Sequence, residues 1–244
     1  MSNRIEVGEV IGRVFKIYAD QAGALIGTAA VVFVAIGVLT ALLVVIAPVL
    51  AILALVVIIV GTTLYTGMVV ELVADVQGDG RRDATVGQLL SAATPVLGQL
   101  ILVGIIAGIG IAIGFVLIII PGLILITLWA VAAPVVVLEH PGAIKALGRS
   151  RELVRGNGWQ VFGVIVVLVV GVGIVSAIIE GIAGSAGTGA GIVVRVIVEI
   201  LTAPLSALAA SVLYFELRGS TTNTPPEPDP SGPFQASGYP SAAP

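Results

Sequence analysis

The chain alternates long apolar runs with short polar segments. Six runs have the length of about 20 residues that a helix needs to cross the hydrocarbon core of a bilayer. They are predicted at residues 22–47, 50–72, 101–120, 122–138, 159–179 and 192–217. The fourth run is the shortest and is expected to tilt little or to be partly re-entrant. This pattern predicts a polytopic membrane protein.

Short amphipathic segments precede every second run. Residues 7–18, 86–100 and 142–156 carry apolar positions at helical spacing and suit helices that lie in the membrane interface. Each is followed by two apolar runs joined by an uncharged turn, at Pro48, at Pro121–Gly122 and at residues 181–191. We therefore predict an all-α transmembrane helical bundle of about six spans in three hairpins, with cytoplasmic interfacial helices. A threefold internal repeat is one interpretation, and ordinary alternation in a polytopic protein is the other.

The composition changes at both ends of the chain. Residues 1–20 are predicted to form an N-terminal interfacial helix, and residues 21–218 the transmembrane domain. Residues 219–244 are rich in Pro, Ser, Thr and Gly and predict a disordered cytoplasmic tail. This tail either binds a proline-recognising partner or serves only as a solvated extension.

The basic residues predict the orientation. With six spans, all but one of the 11 Lys and Arg residues fall on the side that carries both termini, and the exception is Arg195. Because positive charge is retained on the cytoplasmic side, we expect a multi-pass protein of the inner (plasma) membrane with both termini cytoplasmic. The side that carries the 10 other basic residues is called the basic face below.

Composition supports the membrane assignment and excludes several functions. The chain is 58% hydrophobic and 10% charged, with a mean hydropathy of +1.17, whereas soluble domains are about 25% charged. Cysteine is absent, so thiol chemistry and disulfides are excluded. Basic patches with interleaved aromatic residues are absent, so nucleic-acid binding has no support. Three glycine pairs have a spacing that suits close helix packing: Gly23 with Gly27, Gly104 with Gly108, and Gly110 with Gly114. Trp129 is expected to pack within a span.

A compact basic segment follows the fourth run. Lys145, Arg149, Arg151 and Arg155 cannot lie in hydrocarbon, because each charge costs about 2.5–3.5 kcal/mol at the centre of a membrane helix. We predict that they contact anionic lipid phosphates or a cytoplasmic partner. The alternative is that they serve only to set the topology.

Three segments resemble one known family. They read APVVVLE followed by KALGRSRELVRGNGWQVFG, then VADVQGDGRRDATVGQLLSAA, and finally APLSALAASVLYFELRG. In order and spacing they are similar to the bacterial glycerophosphoryl diester phosphodiesterase membrane domain family. The resemblance covers most of residues 1–218 and implies a six-span membrane domain that stands alone or is fused to a phosphodiesterase. It does not imply catalytic residues here, since the fused enzyme is a separate soluble barrel.

Charged residues also occur inside or at the ends of the spans. Arg195 and Glu199 share one helix face, and Glu180 closes the preceding span on the same side. They predict either an intramembrane polar site, for a lipid headgroup or proton movement, or an ion pair at the outer interface. Four further acids, Glu71, Asp75, Glu139 and Glu216, are expected either to pair with basic residues of the basic face or to form a vestibule.

These residues do not predict an enzyme. His140 is the single histidine and is expected to be an interfacial turn residue. Phosphate-binding loops and catalytic triads are absent, and we expect neither a cofactor nor a metal ion. The sequence predicts a non-enzymatic membrane scaffold or lipid-associated module. A small transporter or lipid translocator, or a membrane anchor for a phosphodiesterase-type partner, are the alternatives.

Overall fold

The computed structural model describes residues 6–78, 86–185 and 188–222, and within them all regular structure is helical. A π-helical turn, Val166–Val170, joins α9 to α10. The helices are α1 (Val7–Asp20), α2 (Ala22–Ile46), α3 (Ala51–Gly78), α4 (Val86–Ala93), α5 (Leu97–Leu117), α6 (Ile119–Leu128), α7 (Ala132–Glu139), α8 (Ala143–Val154), α9 (Gly158–Ile165), α10 (Gly171–Ser185) and α11 (Thr188–Thr222).

Six segments are long and apolar enough to cross a membrane. They are Ala22–Leu43, Ala51–Gln77, Gly87–Leu117, Ile119–Glu139, Gly158–Ser185 and Val193–Ser220. The predicted all-α bundle of six spans is therefore confirmed, and the chain is a multi-pass membrane protein. The short helices α1 and α8 each precede a hairpin, as expected from the sequence, whereas α4 falls within the third candidate span.

The packed core lies at the basic face. Side chains of α1 and α8, together with the ends of α3, α7 and α11, form one buried cluster that includes Val14, Val70, Val136 and Leu213. The other half of the bundle exposes large apolar side chains, and no residue of α10 (Gly171–Ser185) is buried. Lipid tails are as apolar as these side chains, so the exposed half can be solvated by lipid without burial against protein.

The turn predicted at Pro121 and Gly122 is wrong by three residues. Ile118 is extended, with φ −162° and ψ 145°, and Pro121 and Gly122 lie in the first turn of α6. Proline is tolerated in a first helical turn because its missing N–H has no intrahelical acceptor there. Because the residues around Pro121 are all uncharged, the sequence did not show at which residue the turn lies.

Other predicted boundaries also shift. The fourth span is divided between α6 and α7 by a break at Trp129–Val131, which the sequence did not predict. The last helix, α11, continues to Thr222, past residue 219, where the tail was predicted to begin. Pro204 lies inside α11, and the nearby Leu201 carbonyl accepts a 3.0 Å hydrogen bond from the Tyr18 hydroxyl. Residues 223–244, with the rest of the predicted tail, lie outside the described residues.

Glycine permits a close crossing of α5 with the fourth span. A Cβ on Gly114 would lie 2.9 Å from the Gly122 backbone, and one on Gly110 would lie 2.7 Å from the Trp129 ring. The predicted packing roles of Gly110, Gly114 and Trp129 are thus confirmed, and they hold α5 against the fourth span. The close packing predicted for the other two pairs is wrong, because Gly23, Gly27, Gly104 and Gly108 have open space at the Cβ position.

Candidate functional site

The basic segment forms α8, which packs one face on the core of the basic face. The chain turns into α8 through His140, in the left-handed region at φ 51°, and Gly142 at φ 88°. His140 is therefore a turn residue, as predicted. The buried face of α8 is formed by Ala143, Ala146, Leu147, Ser150, Leu153 and Val154. The Ser150 hydroxyl donates a 2.8 Å hydrogen bond to the Leu128 carbonyl, which fixes α8 beneath the end of α6.

The four predicted contact residues of α8 divide into two groups. Lys145, Arg151 and Arg155 are exposed, and none of them forms an ion pair with a described residue. Arg149 instead donates to Glu139 over 3.1 Å and to Glu152 over 3.4 Å. Partial burial opposes its charge, but the two carboxylates prevail and raise the pKa of Arg149 above its ordinary value. Arg149 therefore has a structural partner, whereas the other three cations are available to a ligand.

Polar contacts join four helices at the basic face. Glu139 of α7 accepts from Arg149 and, over 2.9 Å, from the Tyr214 hydroxyl of α11, which itself accepts from Arg218 over 3.3 Å. Arg13 of α1 pairs with Glu216 of α11. The predicted pairing of acids with basic residues is thus confirmed for Glu139 and Glu216.

Asp75, another of those acids, is placed differently. Its Oδ2 atom is buried and accepts no hydrogen bond from a described residue. Arg81 and Arg82, two further basic residues of the basic face, lie outside the described residues. Glu71 forms no ion pair within the described part of the chain.

An apolar groove opens beside the exposed end of α8. Its volume is about 840 Å³, and its walls come from α6 and α9. Trp159 lies at its edge with 83% of its surface exposed, and Gly156, next in the chain to Arg155, also lines it. The remaining lining residues are Ile120, Leu123, Ile124, Thr127, Leu128, Gly158, Gln160 and Phe162. An exposed cation therefore stands beside a groove with the polarity of an acyl chain.

A second concave region lies among the spans and borders the core at Phe33, Tyr65 and Leu168. This polar cavity, of about 340 Å³, is bounded by α3, α10 and α11 and includes Glu180 and Glu199. A neighbouring cavity of about 420 Å³ is lined by Arg195 and shares Phe33, Thr62 and Glu199 with it. The structure therefore brings the three predicted intramembrane residues to two adjoining cavities. Within the described residues, neither Arg195 nor Glu199 forms an ion pair.

Sequence reasoning missed the hydroxyl groups of the polar cavity. Thr62 and Thr66 are one helical turn apart on α3, and Thr202 and Ser206 are one turn apart on α11; all four line this cavity. Their i, i+4 spacing in apolar spans was the available signal. Among the described residues, no group of three or more His, Asp or Glu side chains is placed to hold a metal ion.

Comparison with known proteins gives a family without a described activity. No curated protein and no solved structure matches the chain. Residues 61–218, which contain most of α3 and all of α4 to α10, match one family model. The chain belongs to the family described as "Domain of unknown function (DUF7847)".

Proposed function

We propose that this protein is a non-enzymatic membrane scaffold or lipid-associated module that binds anionic phospholipid at its basic face. The observation that carries the proposal is the pairing of free cations with the apolar groove. Lys145, Arg151 and Arg155 are exposed without ion-pair partners in the described chain, and Arg155 directly precedes groove residue Gly156, with Trp159 at the edge of the groove. Each basic residue near an anionic membrane contributes about 1 kcal/mol of attraction.

The geometry supports one occupant of the groove. An acyl chain matches the apolar side chains of α6 and α9, and a phosphate can meet Arg155, which adjoins groove residue Gly156. Exposed Trp residues favour the interface between headgroups and hydrocarbon, where Trp159 would anchor the bound lipid. By the positive-inside rule we place this site in the cytoplasmic leaflet of the plasma membrane, with both termini cytoplasmic.

The test is retention of lipid by the full chain. Native mass spectrometry in nanodiscs of mixed phosphatidylglycerol and phosphatidylcholine compares the wild type with a K145Q/R151Q/R155Q variant. Loss of three contacts is expected to weaken retention of the anionic lipid at least tenfold, since about 1.4 kcal/mol corresponds to a factor of ten. The control K16Q removes one exposed charge of α1, away from the groove. Equal retention by the triple variant and K16Q would refute the proposed site.

A second candidate function is movement of a lipid or small amphiphile across the bilayer. The polar cavity between α3, α10 and α11 favours it, because carboxylates and hydroxyls in a span are costly unless they serve a passage or a ligand. Flipping of a fluorescent phospholipid in proteoliposomes tests this function. A rate equal to that of protein-free liposomes would exclude it.

The family resemblance noted in the sequence supports a third proposed role. It rests on the segments at residues 73–93, 133–163 and 203–219, which resemble the bacterial glycerophosphoryl diester phosphodiesterase membrane domain family. On that basis we propose membership of the phosphodiesterase-associated membrane domain family and, as an alternative role, anchoring of a phosphodiesterase-type partner. Co-purification of such an enzyme from native membranes would support anchoring, and its absence with the lipid site intact would favour the lipid role.

A further inference from the structure

The hydroxyl groups of the polar cavity have little left to donate. Thr62 donates to the Ile58 carbonyl over 2.8 Å, and Thr202 donates to the Val198 carbonyl over 2.7 Å. The hydroxyls of Thr66 and Ser206 make the same kind of bond within their own helices. A hydroxyl has one hydrogen but two acceptor lone pairs. These four groups therefore offer a ligand acceptors only.

The other polar groups of the cavity continue this pattern. Glu180 and Glu199 add carboxyl oxygens, and neither accepts a hydrogen bond from a described residue. The Tyr65 hydroxyl donates to the Leu25 carbonyl over 3.3 Å, so its hydrogen is also used. Ser176 makes no hydrogen bond within the described chain and keeps its hydrogen. The lining is thus acidic and rich in hydrogen-bond acceptors. Polar groups in an apolar span are costly unless they are hydrogen-bonded, so these acceptors call for a donor.

A cation with several hydrogen-bond donors fits such a lining. A primary ammonium group carries three donors and no acceptor, so it can meet a carboxylate and neighbouring hydroxyl oxygens together. A quaternary ammonium has the charge but no N–H group. A divalent metal is less suited, because no described set of three metal-ligating side chains exists. The volume of about 340 Å³ admits a headgroup of this size.

Arg195 adds a place for phosphate beside the ammonium group. It lines the adjoining cavity and is one helical turn from Glu199, which belongs to both cavities. Arginine matches the oxygens of phosphate through its forked donors. We propose that the polar cavity binds a primary ammonium group, supplied by an ethanolamine-type phospholipid or by a soluble amine. This site is separate from the anionic-lipid site at the basic face.

The first experiment needs no variant. Native mass spectrometry measures binding of the full wild-type chain to phospholipids with identical acyl chains and ethanolamine, N-methylated ethanolamine or choline headgroups. We expect affinity to fall stepwise with methylation, at least tenfold from ethanolamine to choline, as N–H donors are lost. Equal binding of the three lipids would overturn the proposal, because charge and acyl chain are the same in all of them.

Substitutions then locate the site. E199Q replaces a carboxylate by an amide that brings its own donors, and is expected to abolish the ethanolamine preference. T62V with T202V removes two acceptors and should reduce the preference about threefold. The controls E9Q, on exposed α1, and T94V, on an exposed turn before α5, make the same chemical changes elsewhere. Thermal unfolding of each variant in detergent verifies the fold. A folded E199Q that keeps the full preference would overturn the assignment.

The source of the ammonium group is decided by competition. If a phospholipid is bound, R195Q weakens binding of the ethanolamine lipid but leaves binding of free ethanolamine unchanged. If a soluble amine is bound, free ethanolamine displaces the lipid and R195Q has no effect. The K145Q/R151Q/R155Q variant should keep the ethanolamine preference in either case. The proposal for either site can therefore be refuted while the proposal for the other stands.

Discussion

Tyr214 lies where three polar groups meet among buried apolar helices. Its side chain is fully buried, and its hydroxyl donates to Glu139 and accepts from Arg218. A buried hydroxyl is retained only where its hydrogen-bonding capacity is met, because an unpaired one costs about 1–3 kcal/mol. This tyrosine therefore ties the end of the last span to the turn before α8.

Removal of that hydroxyl tests the contribution of this contact. Y214F is expected to lower the free energy of unfolding by about 1.5–3 kcal/mol, the range for hydrogen bonds to charged groups. Y18F removes a neutral bond to the Leu201 carbonyl and should cost about 0.5–1.5 kcal/mol. Thermal unfolding in detergent compares the two. A smaller effect for Y214F than for Y18F would contradict the role assigned to the Glu139 contact.

Single residues also show the limit of sequence reasoning. The sequence identified Arg149 and Arg151 as equivalent cations, yet only Arg149 lies within reach of Glu139. That contact depends on the turn at His140 and Gly142, whose left-handed backbone could not be inferred from an apolar run. Charge and hydropathy thus predict on which face a residue lies, whereas its partner depends on local backbone geometry.

At the scale of elements, the crossing of α5 with α6 depends on two glycines. The ideal Cβ position of Gly114 is 2.9 Å from the backbone of Gly122, which cannot move like a flexible side chain. G114A is therefore expected to destabilise the fold by about 1–3 kcal/mol through overpacking. The control G108A adds a methyl group in open space on the same helix and should be neutral or slightly stabilising, because alanine favours helix.

Thermal unfolding midpoints of G114A and G108A in the same detergent decide the matter, and equal midpoints would show that the crossing relaxes without cost.

The elements themselves were largely predictable, because hydrocarbon thickness sets their length and leaves few alternatives to a helix. Their ends were not. Within residues 97–139 nearly every side chain is apolar, so no polar residue marks the break at Ile118 or the one at Trp129–Val131.

For the molecule as a whole, the two ends of the bundle differ in how closely the helices pack. The buried core and its ion pairs lie at the basic face, where α1 and α8 brace the ends of the spans. The far half has exposed apolar surfaces and the adjoining cavities around Glu199. The closely packed end suits a scaffold. The end with the cavities suits access of a ligand. Sequence patterns predicted the charged residues of both ends but neither cavity, since cavities arise where helices separate.

The orientation of the bundle in the membrane gives the last prediction. Because the natural chain has no cysteine, single cysteines can be introduced without a background. Ser185 ends α10 at the far side, and Ile144 is 76% exposed on α8 at the basic face. If positive charge is retained inside, a membrane-impermeant maleimide labels S185C in intact cells and labels I144C only after permeabilisation. The reverse pattern would invert the topology and move the proposed anionic-lipid site to the outer leaflet, where the attraction of cytoplasmic anionic lipid would no longer apply.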